Sequence, residues 1–155
     1  MIEVRMRKAP LACVSVEGKG VSSTPGLLGK LLNAIAVKGV RILAVTSGES
    51  DLGFFVDQAD ADVARYSVAQ KALRLKGIRD ISVLRGLGMI TVKGGKVAES
   101  QPALQKIYEV LGDAGIVPSA FSAGGDIVRL FFDLKRCEGA YSVLDKNIAK
   151  LAELA

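Results

Sequence analysis

The sequence predicts an α+β protein made of two similar domains, and three observations support this prediction. When the chain is cut near Leu87, both halves show one pattern of elements: an alternating strand, a helix, two further strands and a second helix. Proline and glycine residues mark the ends of the first helix in each half. A segment at the start of the chain has the alternation of a further strand.

Composition and hydropathy place the chain among folded proteins. Its 155 residues are 50% apolar and 24% charged, which suits one ordinary domain or two small ones. No apolar run approaches the ~20 residues that cross a bilayer, and the first ten residues, MIEVRMRKAP, carry charges where a signal peptide needs an apolar stretch. We therefore expect a cytoplasmic protein with no membrane partner.

The charged and sulfur-containing residues argue against several functions. The net charge is +5, but the basic residues are interleaved with acidic ones, which argues against a nucleic-acid partner. The two cysteines, Cys13 and Cys137, have no CxxC spacing, and the chain contains no histidine. A zinc site and a Cys-His nucleophile are thereby excluded. We predict two buried, reduced thiols, no metal and no cofactor.

The first helix of each half has matching end signals. Pro25 and Pro102 are expected just inside the two helices, where a missing N–H costs nothing. Gly39 and Gly115 are expected just past the helix ends, in the left-handed conformation that closes a last turn. Each helix has one apolar face. These faces comprise Leu27, Leu28, Leu31, Leu32 and Ile35 in the first half and Leu104, Ile107, Tyr108 and Leu111 in the second.

The remaining elements complete a known plan. Second helices are predicted from residue 60 to about 76 and from 138 to about 154, and a strand over 80–85 closes the first half as β-α-β-β-α-β, the ferredoxin-like plan. The second half lacks a closing strand, and the alternating segment 2–7 supplies one. The expected domains are residues 9–87 and residues 1–8 plus 88–155, intertwined through the chain's own ends.

Short motifs at matching places resemble those of a regulatory domain family. Residues 23–26 read STPG before the first helix, residues 39–44 read GVRILA after it, and residues 50–54 read SDLGF on the third strand. In the second half, residues 100–103 read SQPA and residues 122–126 read SAGGD. The paired halves resemble the tandem ACT domains at the C-terminal end of aspartate kinases and their separate β-subunits. Those read D-K-P-G, G-I-N-I-D-M and T-D-I-S-F in the first domain, and S-H-P-G and S-T-S-E in the second.

The motifs also differ from the family pattern. Ser23 replaces the family's aspartate, Arg41 its asparagine and Ser47 its glutamine, and Ala103 replaces the glycine at the second helix start. The second half carries one extra residue in its 122–126 turn. The resemblance still implies two ferredoxin-like ACT-type domains and no catalytic site. It implies feedback control of an aspartate kinase by lysine or threonine, in a homodimer or paired with a kinase catalytic subunit.

An amino-acid ligand explains why these residue types recur. Its carboxylate needs the free N–H groups and positive potential of a helix start, and Gly26 leaves room for close approach. Its ammonium needs acceptors, for which Asp51 and Asp126 are candidates. Ordinary helix caps and solvated Asx turns explain the same residues singly, and their recurrence in both halves favours binding. The candidate effector site comprises Ser23, Thr24, Gly26, Leu27, Leu28, Arg41, Ser47, Asp51, Gln101, Ala103, Ser122 and Asp126.

Other functions fit the sequence less well. A free-standing amino-acid sensor and a degenerate ACT pair that serves only in oligomerisation remain alternatives. An RNA-binding ferredoxin-like module would need exposed paired aromatics, and residues 53–56 and 130–132 lack that spacing. The glycines in 86–88 and 94–95 lack the Lys-Ser or Lys-Thr of a phosphate loop and indicate turns. An enzyme ranks last, because general acids and bases are few.

Overall fold

A computed structural model describes residues 1–75 and 77–155 as two compact units, the first unit being residues 9–86 and the second unit residues 1–8 with 87–155. Within the described residues, no helix is long and apolar enough to cross a membrane. The elements are β1 (Glu3–Met6), β2 (Leu11–Gly18), α1 (Leu27–Ala36), β3 (Ile42–Ser47), β4 (Asp51–Asp57), α2 (Ala61–Ala72), β5 (Ile78–Lys93), α3 (Gln101–Asp113), β6 (Ala120–Gly124), β7 (Ile127–Asp133), α4 (Leu134–Asp145) and α5 (Ile148–Leu154).

In the first unit, the strand order is that of the ferredoxin-like plan. Strands lie in the order β3-β4-β2-β5, and β4 is antiparallel to both β2 and β3. Because side chains alternate along a strand, Val14 and Val16 lie on the face that packs against α1 and α2. Phe54 joins the same core and is fully buried.

The second unit repeats this order with a strand from the start of the chain. Its strands lie in the order β6-β7-β5-β1, and β1 is antiparallel to β5 with Glu3 opposite Lys93 and Met6 opposite Ile90. The prediction that segment 2–7 completes the second unit is therefore confirmed. Ile2 and Val4 enter the core of this unit, which explains why that segment alternates.

The two helices that follow the first strand of each unit bury matching positions. The buried residues are Leu27, Leu31, Ala34 and Ile35 in α1 and Ala103, Ile107, Val110 and Leu111 in α3. Each buried residue of α1 has a buried counterpart in α3, always the same number of residues further along the chain. The repeat seen in the sequence is therefore also a repeat of packing. Gly39 and Gly115 adopt left-handed φ angles of 76° and 70° just past these helices, as predicted.

The prediction for the helix starts is half right. Pro102 is the second residue of α3, as expected. Pro25 lies outside α1, because Gly26 follows it with a left-handed φ of 78° and the helix begins only at Leu27. The constant spacing of the repeat aligns Pro25 with Gln101, so the two prolines do not occupy equivalent positions.

One strand replaces a predicted turn. β5 continues through residues 86–88, where the glycines were expected to mark a turn, and the separate strand over 80–85 is only part of it. The N–H of Gly86 donates to Oε1 of Gln58 at 2.7 Å. At Gly88, an added Cβ would lie 2.7 Å from Sγ of Cys137, so this glycine is needed for packing. The other glycine pair, at 94–95, has positive φ and forms the expected turn.

The helices at the ends of the two halves also differ from expectation. The predicted helix 138–154 is two helices, α4 and α5. α4 begins earlier because Asp133 accepts a hydrogen bond from the N–H of Lys135 at 3.1 Å. It ends at Asp145, where Asn147 Nδ2 donates to the carbonyl of Val143 at 2.8 Å. The predicted helix 60–76 is observed as α2, and its expected last residue, Lys76, lies outside the described residues.

Candidate functional site

The candidate site of the first unit lies where the loop before α1 meets the turn between β3 and β4. Ser22 Oγ donates to the carbonyl of Glu49 at 2.8 Å. The N–H of Gly18 donates to the carbonyl of Ser50 at 2.9 Å. These two hydrogen bonds hold the loop and the turn together, so groups on one are fixed relative to groups on the other.

The start of α1 has no side-chain cap. Thr24 Oγ1 donates to the carbonyl of Gly20 at 2.6 Å, and Ser23 Oγ donates to the same carbonyl at 3.3 Å. Both hydroxyls therefore brace the loop and do not accept from the helix. Gly26 stands at the cap position without a side-chain hydrogen bond. The first N–H groups of a helix have no intrahelical partner. Here the N–H of Leu27 donates to the carbonyl of Thr24 at 3.3 Å, which leaves those of Leu28 and Gly29 for an anionic ligand.

Two carboxylates lie opposite each other on neighbouring strands, on the sheet face away from α1. Asp51 is the first residue of β4 and lies directly opposite Glu17 of β2. Alternation places both on the face opposite buried Val16 and Leu52. Glu17 Oε2 accepts from Arg79 Nη2 at 2.9 Å.

Sequence reasoning named Asp51 and missed Glu17. Glu17 could be recognised only from the strand register, which pairs Leu11 with Asp57 and therefore places Asp51 opposite Glu17. Gly48 makes room for the Asp51 side chain, because an added Cβ would overlap its Oδ1.

Of the other predicted residues of the first unit, some lie near the loop and the turn and one does not. Leu27 and Leu28 pack in the core, so they offer backbone groups and not side chains. Ser47 ends β3 next to the turn. Arg41 is exposed and precedes β3, at the opposite end of that strand from Ser47. The structure thus joins the loop before α1 to the turn that precedes Asp51 and leaves Arg41 apart.

Beside these groups lies a groove of about 320 Å³, lined by Gly18, Lys19, Ser50, Gly77 and Arg79. A smaller recess of about 80 Å³ extends under the start of α1. Ligand sites for small molecules begin at roughly this size. The groove has room for a free amino acid, and its Arg79 is the residue that donates to Glu17.

The sequence model described as ACT domain matches residues 14–71. This segment contains the greater part of β2, all of α1, β3 and β4, and most of α2, and hence the helix start and the two carboxylates. No curated protein sequence matches the chain.

Solved structures extend the likeness to nearly the whole chain. One, described as aspartokinase α and β subunits, has a TM-score of 0.78 and 20% identity over 92% of this chain and 95% of its own. The ligand-free regulatory subunit of aspartate kinase from Thermus thermophilus has a TM-score of 0.80 and 15% identity over 92% and 94%. The match to E. coli aspartokinase III in complex with lysine and aspartate has a TM-score of 0.71 and 15% identity, over 94% of this chain and 32% of that one. The predicted ferredoxin-like ACT fold is confirmed.

The start of α3 in the second unit has a side-chain cap, whereas the start of α1 in the first unit has none. Ser100 Oγ accepts from the N–H of Ala103 at 3.3 Å and donates to the carbonyl of Leu154 at 2.5 Å. Ala103 is fully buried, while Gln101 is exposed at the first position of α3. One hydroxyl thus caps α3 and joins it to the end of α5, whereas α1 has no side-chain cap.

The pair of carboxylates is also absent from the second unit, where Lys93 lies opposite Ile127. The carbonyl of Asp126 accepts from the N–H of Gly94 at 2.8 Å, the role that Ser50 has in the first unit. Asp126 therefore corresponds to Ser50, and the interpretation that Asp51 and Asp126 hold matching places is wrong. Ser122 pairs with Arg129 across the sheet. The predicted residues of the second unit do not reproduce the arrangement around Asp51.

Both cysteines are free and buried, as predicted. Burial raises the pKa of the Cys13 thiol, a hydrogen bond with Ser15 and the backbone at Phe54 lower it, and nearby Asp51 raises it again. Burial and then Glu138 raise the pKa of Cys137. Both thiols stay protonated at neutral pH and are poor nucleophiles.

Proposed function

We propose that this chain is a non-catalytic regulatory module that binds a free amino acid in its first unit. The observation that supports this function is the uncapped start of α1, joined by two hydrogen bonds to the turn that carries Asp51 opposite Glu17. An amino acid has an anionic and a cationic end, and this arrangement offers N–H donors on one side and carboxylates on the other.

In the proposed complex, the ligand carboxylate accepts from the first amides of α1, where the helix dipole adds positive potential. The ammonium lies near Asp51 and Glu17, and Ser47 is the nearest polar residue of β3 to that turn. Ser23 and Thr24 hold the loop in shape through the carbonyl of Gly20. The side chain of the ligand then occupies the groove beside Lys19.

We further propose that lysine or threonine is the effector and that binding controls an aspartate kinase by feedback. The folds of the chain and of aspartokinase regulatory subunits agree, and E. coli aspartokinase III is described in complex with lysine. The module pairs with a kinase catalytic subunit or a second copy of itself, in the cytoplasm. The effector shifts the kinase by no more than its differential affinity for two states.

Calorimetric titration and thermal unfolding with each of the twenty amino acids test this function. A ligand that binds only the folded form stabilises it by about 2.7 kcal/mol at one hundred times its Kd. We expect a selective response to lysine or threonine, lost in Asp51→Asn and kept in the matched control Asp126→Asn, whose side chain lies in the second unit. A response to no amino acid contradicts the proposal and favours a role in assembly alone.

A further inference from the structure

The second unit carries a basic surface on one side of its sheet. Helices α3, α4 and α5 pack on the face that bears Val4, Val92 and Val128. Alternation places the next residue of each strand on the other face. We name that surface the basic sheet face; it comprises Arg5 of β1, Thr91 and Lys93 of β5, Arg129 of β7 and Ser122 of β6.

The strand register arranges these residues in a row. Arg5 lies opposite Thr91, Thr91 opposite Arg129, and Arg129 opposite Ser122. Neighbouring strands are about 4.8 Å apart, so the two arginines start about 10 Å apart with a threonine hydroxyl between them. Lys93 follows Thr91 on the same face, two residues along β5. Five side chains that can donate hydrogen bonds thus lie on this face.

The charge of this area is mainly positive. Glu3 is an acidic neighbour and lies opposite Lys93. Its Oε1 accepts a hydrogen bond from Arg5 Nε at 2.5 Å. The two side chains of that ion pair are 49% and 74% exposed, so the pair contributes little stability and rearranges at low cost. Arg5 uses one of several N–H donors in it, and the others stay available to a ligand.

The surface is concave beside this row. A cavity of about 350 Å³ is lined by Met1, Glu3, Arg5, Thr91, Lys93 and Gly94. A hollow of this size holds a small molecule and is too short for a long polymer. The aromatic side chain that the sheet places on this face, Phe131, is fully buried, so no exposed ring among the described residues of the face offers a base-stacking platform.

We propose that the basic sheet face binds a small phosphate-type anion, such as an inorganic or organic phosphate. Arginine matches the geometry of phosphate oxygens, lysine adds a point charge, and the Thr91 hydroxyl adds a donor. This site is separate from the amino-acid site of the first unit and does not depend on it.

Titration of the whole chain with pyrophosphate, followed by calorimetry and by ¹H–¹⁵N NMR at physiological salt, tests the site. We expect saturable binding with one ligand per chain and the largest amide shifts at Thr91 and Arg129. Arg129→Gln and Lys93→Gln are each expected to weaken binding at least fivefold. Glu3→Gln is expected to strengthen it, since it removes the neighbouring negative charge.

Arg65→Gln is the matched control, because Arg65 is an exposed residue of α2 and its substitution makes the same charge change in the first unit. Binding that fails to saturate, or that Arg65→Gln weakens as much as Arg129→Gln, overturns the proposal. Titrations with a nucleotide and with a short RNA distinguish ligand sources, and much tighter RNA binding with a steep salt dependence also overturns it. Asp51→Asn is expected to bind pyrophosphate as the wild type does. A failure of the amino-acid proposal can then be told apart from a failure of the phosphate proposal.

Discussion

Glu17 and Asp51 are directly opposite each other on neighbouring antiparallel strands, so two carboxylates meet at the point where β4 begins. Like charges in this relation are destabilising by about 0.2–1 kcal/mol. Arg79 offsets part of this repulsion through its 2.9 Å contact with Glu17. A cationic group bound between the two carboxylates offsets more, which is the reason we assign the ligand ammonium to this place.

The first prediction concerns this pair. Glu17→Gln is expected to weaken amino-acid binding about tenfold, because one of two acceptors for the ammonium loses its charge. Arg79→Gln is the control with the opposite sign, since it leaves Glu17 unpaired and is expected to strengthen the binding of lysine. Isothermal titration calorimetry on both variants measures the difference. If both substitutions shift the Kd in the same direction, the ammonium does not lie between Glu17 and Asp51.

Much of the fold was predictable because local patterns determine it. The faces of α1 and α3 were visible as apolar residues three and four apart, and the buried positions include most of those predicted. The strand of segment 2–7 was visible as alternation together with the absence of a last strand in the second half. Both inferences used only spacing along the chain and the need of each unit to complete a sheet.

The features that sequence reasoning missed depend on contacts between distant residues. The continuity of β5 through Gly86 involves a hydrogen bond to Gln58, and Gly88 packs against Cys137. Glu17 became a site candidate only once the register with β4 was known. The Ser100 hydroxyl that caps the helix start of the second unit also donates to the carbonyl of Leu154, and no local motif predicts that contact. The spacing of residues along the chain predicts none of these contacts.

The second prediction concerns the two helix starts. Ser100→Ala removes the cap of α3 and the hydrogen bond to Leu154, and we expect the free energy of unfolding to fall by about 1–2 kcal/mol. Thr24→Ala removes only a brace to the carbonyl of Gly20 on an exposed loop, so its expected cost is smaller. Urea unfolding of the two variants compares them. Equal costs would mean that the α1 start is capped as well.

The third prediction concerns pH. The pKa values of Cys13 and Cys137 are raised in the folded chain above their ordinary value of 9.0, chiefly by burial. Below that value both states are protonated and the thiols add no pH dependence. As pH rises above 9.0, the unfolded chain releases the protons first, so the free energy of unfolding falls.

Urea unfolding between pH 7 and pH 10 measures this slope. In Cys13→Ala with Cys137→Ala, the absolute stability is lower because of the lost packing, but the fall between pH 9 and pH 10 is expected to be shallower. The wild-type chain and the variant are therefore compared by slope and not by value. Parallel curves would show that the thiols are not the groups that titrate.

The last prediction uses two glycines at the start of α1. Gly26 has a left-handed φ of 78°, so Gly26→Ala is expected to cost about 1–2 kcal/mol of stability. Gly29 lies in the helix without positive φ and with no atom within 4 Å of an added Cβ, so Gly29→Ala is expected to stabilise by up to about 1 kcal/mol. Both substitutions add one methyl group, at positions three residues apart.

Amino-acid titration of the same two variants then tests the site, because Gly26 borders the proposed ligand carboxylate. We expect Gly26→Ala to weaken binding more than Gly29→Ala does, and the reverse order would place the carboxylate away from this helix start.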